Sequence, residues 1–121
     1  MNLAENIIRR LDLMWAKKVK MDAGGRCEVH NSKTGKAEEF DCECNGLQAH
    51  HLIGRRSWFT RWLLLNGVAV CPNLHTKPWL IRKWLQMHDP ARYEWIIREE
   101  NTIHKKAELD AEKIEAELIA A

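Results

Sequence analysis

The chain has 121 residues, and 19 Lys and Arg against 17 Asp and Glu leave a formal net charge of +2. That length holds one domain with at most one appendage, and no uninterrupted apolar run exceeds the four residues of Trp62 to Leu65, far short of a membrane-crossing helix. The N-terminus lacks the basic-then-apolar order of a secretory leader, so a soluble, cytoplasmic protein is expected.

The charge is unevenly spread. Residues 1–88 carry 14 Lys and Arg against 8 Asp and Glu, whereas residues 89–121 carry 5 against 9. A basic body with an acidic tail suits a nucleic-acid surface on the body, although ordinary solvated faces would look the same. Four cysteines in a chain without a secretory leader point to metal before disulfides.

Residues 2–20 read as a helix. Asn2 can cap it, with Glu5 three residues on as in a capping box. Leu3, Ile7, Ile8, Leu11, Met14, Trp15 and Val19 recur every three or four residues and form one apolar stripe, and Gly24-Gly25 stops the helix. Its cations (Arg9, Arg10, Lys17, Lys18 and Lys20) read mostly as a solvated face. A hairpin region follows from Cys27 to Cys44, with turn chemistry at Asn31-Ser32-Lys33-Thr34-Gly35-Lys36. Cys27 and His30 have the two-residue gap of a zinc knuckle. With Cys42, Cys44 and Cys71 they offer the short ligand pairs that a tetrahedral site needs.

Leu47 to Ile53 should be a strand ending in His50-His51, and Arg55 to Arg61 a basic, aromatic-bearing loop. Asn66-Gly67 is a turn signal, Val68-Ala69-Val70 a short buried strand, and Pro72-Asn73 the start of a helix with His75 in or just before its first turn. Pro78 suits another helix start. Asp89-Pro90 opens a last one, on which Ile96, Ile103, Ala107, Ala111, Ile114 and Leu118 make one seam, suited to packing on the body or on a second chain.

Ala49-His50-His51-Leu52, Asn66-Gly67 and His75, with cysteines around them, resemble the HNH nucleases, whose active site is a ββα-metal (His-Me) finger. Leu47 to Arg56, Thr60-Arg61-Trp62, Asn66-Gly67 and Cys71-Pro72-Asn73 read like the small phage- and prophage-type members. The resemblance spans roughly residues 27–75. It implies an α+β fold: residues 1–26 as an N-terminal helix packing on the core, residues 27–88 as the nuclease core, and residues 89–121 as a long C-terminal helix. It implies metal-dependent hydrolysis of DNA phosphodiester bonds in a bacterial cytoplasm, with a phage origin, by a monomer or by a homodimer formed through the C-terminal helix.

Carried over, His51 is the general base and His50 and His75 hold a divalent cation, while Asn66 braces the loop and orients the base. Two imidazoles leave room for water or phosphate oxygens, which suits Mg²⁺ or Mn²⁺, and imidazole favours Mn²⁺, Ni²⁺ or Co²⁺ over Mg²⁺. His88 is a candidate third ligand. Cys27, Cys42, Cys44 and Cys71 would hold a separate structural Zn²⁺, with His30 able to replace one thiolate; His30 and Leu74 stand where family members carry cysteines. Arg55, Arg56 and Arg61 would contact DNA phosphates. The rival readings are a non-catalytic zinc-finger-like DNA-binding module and a dimerising interaction protein.

Overall fold

Glu5–Asp22 forms α1 in the computed structural model, which describes residues 3–29, 46–104 and 109–121. The apolar stripe closes as its spacing requires. Leu11, Trp15 and Val19 are buried, and Leu3, Ile7, Ile8 and Met14 pack beside them. The helix start differs from the capping box expected at Asn2, which lies outside the described residues. Ala4 occupies the cap position with no side-chain bond, and its carbonyl accepts from the amides of Ile7 and Ile8. At the other end Gly24 and Gly25 take φ of 67° and 72°. An L side chain is strained there, so the glycine pair ends the helix as read.

β1 (Gln48–His51) and β2 (Gly67–Val70) form a two-stranded antiparallel sheet in which His50 faces Val68 and His51 faces Gly67. The strand alternation splits the core in two. Ala49 and Ala69 join Leu11, Trp15, Val19 and Trp62 on the α1 side. Val68 and Val70 join Leu74, Ile81, Leu85 and Ile96 on the other. The second cluster is built from α2 (Pro72–His75), α3 (Pro78–His88) and α4 (Pro90–Glu100). Each fully buried Leu, Ile or Val there contributes roughly 1.5–3 kcal/mol, so the small sheet is held mainly by helices on both faces. The chain is therefore α+β, with the order strand, loop, strand, helix over residues 48–75.

β1 is shorter than the expected 47–53 because Asn66 takes over its last ladder positions. The Leu52 amide donates to the Asn66 carbonyl at 2.9 Å, the Ile53 amide to Asn66 Oδ1 at 2.7 Å, and Asn66 Nδ2 to the Ile53 carbonyl at 3.0 Å. Gly67, which follows, is where α1 crosses closest. A Cβ there would stand 2.5 Å from Val19 Cγ2 and 2.7 Å from Trp15 Cζ2. Gly67→Ala is thus expected to push α1 off the sheet, costing about 1–3 kcal/mol, and thermal unfolding of the variant measures it.

The long C-terminal helix of the sequence reading is two helices. α4 ends at Glu100, where the side chains of Asn101 and Thr102 turn back onto the carbonyls of Ile97 and Arg98 at 2.7 and 2.6 Å. α5 (Ala111–Ala120) starts afresh with Asp110 accepting from the Lys113 amide at 3.1 Å. These polar caps satisfy end groups that a continuous helix would have paired internally. The expected seam is divided as a result. Ile96 lies in the α3–α4 cluster, Ile103 is 98% exposed, and Leu118 is buried against α1. Arg10 Nη2 reaches Glu115 Oε2 at 2.9 Å across the α1–α5 contact. Within this chain α5 packs on the body. Among the described residues no helix is long and apolar enough to cross a membrane.

Candidate active site and metal centre

His50 and His51, adjacent on β1, are sent to opposite faces of the sheet. His50 meets His75, the last residue of α2, with ring centroids 5.3 Å apart and planes at 87°. The Nδ1 of His75 is buried and has no hydrogen-bond partner among the described residues. An unpartnered buried polar nitrogen costs on the order of 1–3 kcal/mol, a cost that a bound cation would remove. Burial, followed by the charges of His75, His51 and Arg82, brings the pKa of His50 down to about 4. Its ring is therefore neutral near pH 7, the form that ligates metal. Among the described residues no three His, Cys, Asp or Glu side chains form a metal cluster, so the two imidazoles stand as a pair. His88, the candidate third ligand, lies at the end of α3 beside Trp84, at 6.0 Å between centroids.

His51 faces α1. Its ring stacks on Trp15 at 3.9 Å with 12° between planes. Its Nε2 lies 3.0 Å from the carbonyl oxygen of Arg61. A carbonyl can only accept, so Nε2 carries the proton and Nδ1 keeps its lone pair. Burial, the largest influence, lowers the pKa of His51, the Arg61 carbonyl raises it and Arg55 lowers it, with a net value of about 4. The ring is thus a neutral imidazole of fixed tautomer, able to accept a proton at Nδ1. Asn66, fully buried, clamps the backbone of Ile53 two residues beyond His51. On the other side Arg82 Nη2 donates to the Leu52 carbonyl at 2.7 Å while its Nη1 binds Glu100 Oε1 at 2.6 Å. The chain leaving the His pair is therefore held from both sides.

The thiols are partly in view. Cys27 and Cys71 are both buried in the α3–α4 cluster. The Glu28 amide donates to the Ala69 carbonyl at 2.9 Å and the Ala69 amide to Glu28 Oε2 at 2.6 Å, which ties the segment carrying Cys27 to β2. Cys42, Cys44 and His30 lie outside the described residues.

The three arginines separate. Arg55 and Arg56 are exposed, whereas Arg61 is 7% exposed. Arg61 donates to Asp12 through Nε at 2.9 Å and Nη2 at 2.7 Å, and its guanidinium lies 4.6 Å from the centre of the Trp58 ring. The guanidinium of Arg61 is thus engaged inside the fold, whereas Arg55 and Arg56 face solvent, Arg55 with its Nη2 3.4 Å from Asp12 Oδ2. No family model, curated protein or solved structure matches this chain.

Asp12 and Trp15 escaped the sequence reading, which placed Trp15 in the packing stripe and gave Asp12 no role. Asp12 carried a faint signal as the one acid between Glu5 and Asp22 in a basic helix. Burial pushes its carboxyl up, but hydrogen bonds from Arg61 and Trp62 and the charges of Arg61 and Arg55 outweigh that and hold it below 3.8. A depressed carboxyl stabilises the fold above the ordinary carboxylate range, and that stability is lost as pH falls through the folded value. The gap in melting temperature between wild type and Asp12→Asn should therefore be widest near neutral pH and narrow below about pH 4. Solvent screening keeps it modest.

Proposed function

We propose that the chain is a divalent-metal-dependent DNA endonuclease of the HNH type, with the finger spanning β1, β2 and α2. The observation that carries this reading is the convergence of His50 and His75, whose buried Nδ1 has no hydrogen-bond partner among the described residues. His51 lies on the neighbouring strand position with its tautomer set by a backbone carbonyl. On this reading His50 and His75 would hold the cation. The cation supplies charge neutralisation at the phosphate and at the departing oxygen. His51 accepts the proton of the attacking water at Nδ1. Asn66 keeps the segment after His51 in place, and the exposed Arg55 and Arg56 would contact the phosphate backbone. The burial of Cys27 and Cys71 in one cluster is compatible with a structural Zn²⁺ site that Cys42 and Cys44 would complete, with His30 able to replace one thiolate.

The metal assignment is tested by titrating Mn²⁺ into protein that retains its zinc, followed by electron paramagnetic resonance. Wild type should bind one ion, and His50→Ala and His75→Ala should each weaken binding by at least about tenfold. Mn²⁺ binding that both substitutions leave intact would remove the metal centre from this pair and favour the zinc-finger-like binding module.

A further inference from the structure

We propose that Asp12 and Trp15 of α1 are positioning residues for His51, an assignment that rests on the proposed role of His51 as general base. Three residues apart on a helix, the two side chains share a face. Trp15 lies flat on the His51 ring at 3.9 Å, and its own plane is fixed by an indole N–H donated to the Leu63 carbonyl at 2.9 Å. Asp12 works on the other restraint. The carbonyl that holds His51 Nε2 belongs to Arg61, in a segment of successive turns (Ser57 to Gly54, Thr60 to Ser57, Leu63 to Thr60) with no strand or helix to hold it. Asp12 anchors that segment by accepting from Nε and Nη2 along one edge of the Arg61 guanidinium and from Trp62 Nε1 at 2.9 Å. Arg61 Nη1 adds a bond to the Arg55 carbonyl at 3.3 Å.

The stack sets the plane of the imidazole. The carbonyl sets its rotation within that plane and its tautomer. Both restraints come from one helix. A helix serving only to cover the sheet would place an apolar group at position 12, yet Asp12 brings a carboxylate into a site where its side chain is 21% exposed. A general base displaced by even an ångström loses most of its advantage, so α1 belongs to the site as well as to the core.

The test compares Asp12→Asn, Asp12→Ala, Asp12→Glu and Trp15→Phe with Glu115→Gln, which breaks the Arg10 ion pair between α1 and α5 away from His51. Plasmid cleavage is read as kcat and KM, and the ring nitrogens of His51 are read by ¹⁵N NMR on protein that retains its zinc, with no other divalent cation added. In Asp12→Asn and Asp12→Ala kcat should fall about tenfold to a hundredfold with KM little changed, and the His51 signals should move from the Nε2–H tautomer to a mixture. Asp12→Glu should recover part of the loss, and Trp15→Phe, which keeps an aromatic face, should lose less than Asp12→Ala. Glu115→Gln should match wild type. Folded Asp12→Asn cutting at the wild-type rate with an unchanged tautomer overturns the proposal, as does a loss confined to KM. If wild type does not cut DNA, the nuclease reading falls by itself and the ring signals decide: a mixture in Asp12→Asn upholds the positioning, and an unchanged tautomer overturns it.

Discussion

His51→Ala should bind DNA as wild type does and lose about 10²- to 10⁴-fold in metal-dependent cleavage, the range attributed to a positioned general base. The reasons lie in how the ring is held. Its pKa of about 4 leaves it neutral in the physiological range, and the Arg61 carbonyl accepts a hydrogen bond from Nε2–H and leaves Nδ1 as the acceptor. Alanine removes the proton acceptor but leaves the exposed cations Arg55 and Arg56 untouched. The expected signature is therefore a fall in kcat with DNA affinity unchanged, read from plasmid relaxation and a gel shift on the same samples. A parallel loss of both would mean that His51 acts through the fold.

Asn66→Ala should cost about 2–4 kcal/mol of stability. It removes two hydrogen bonds and leaves the amide and carbonyl of buried Ile53 unpaired, each worth about 1–2 kcal/mol. Asn66→Asp should be at least as damaging. One carboxylate oxygen can still accept from the Ile53 amide, but the donor to the Ile53 carbonyl is gone and a charge enters a fully buried position. Chemical denaturation gives the ranking. An Asn66→Asp protein as stable as wild type would show that the clamp contributes little.

Most of the architecture could be read from periodicity. The α1 stripe, the Gly24-Gly25 stop, the buried β2 and the Pro78 and Asp89-Pro90 helix starts all follow from local spacing and backbone chemistry. The exact extent of β1 could not be read, because Asn66 replaces its last ladder bonds from 13 residues away. The C-terminal break was hidden for a related reason. Ile96, Ile103, Ile114 and Leu118 keep helical spacing across it, while the decisive signals are the Asn101, Thr102 and Asp110 side-chain caps.

The candidate site divides in the same way. The residue types and spacing of His50, His51, Asn66 and His75 mark them out, and the strand alternation that separates the two adjacent His side chains is a local rule. The internal pairing of Arg61 was hidden because its partner, Asp12, lies 49 residues earlier and no local pattern joins them. Gly67 looked like a turn glycine. Its φ of −114° needs no special freedom, and the residue is small because Trp15 and Val19 cross above it.

The central claim is metal-dependent DNA cleavage, and the most direct measurement is supercoiled plasmid incubated with the wild-type protein in EDTA and after readdition of Mg²⁺, Mn²⁺, Ni²⁺ or Co²⁺. Relaxed or linear DNA should appear with a divalent metal and be absent in EDTA. Plasmid that stays supercoiled with every metal, while the same protein shifts it on a gel, would contradict the account and leave a DNA-binding module without catalysis.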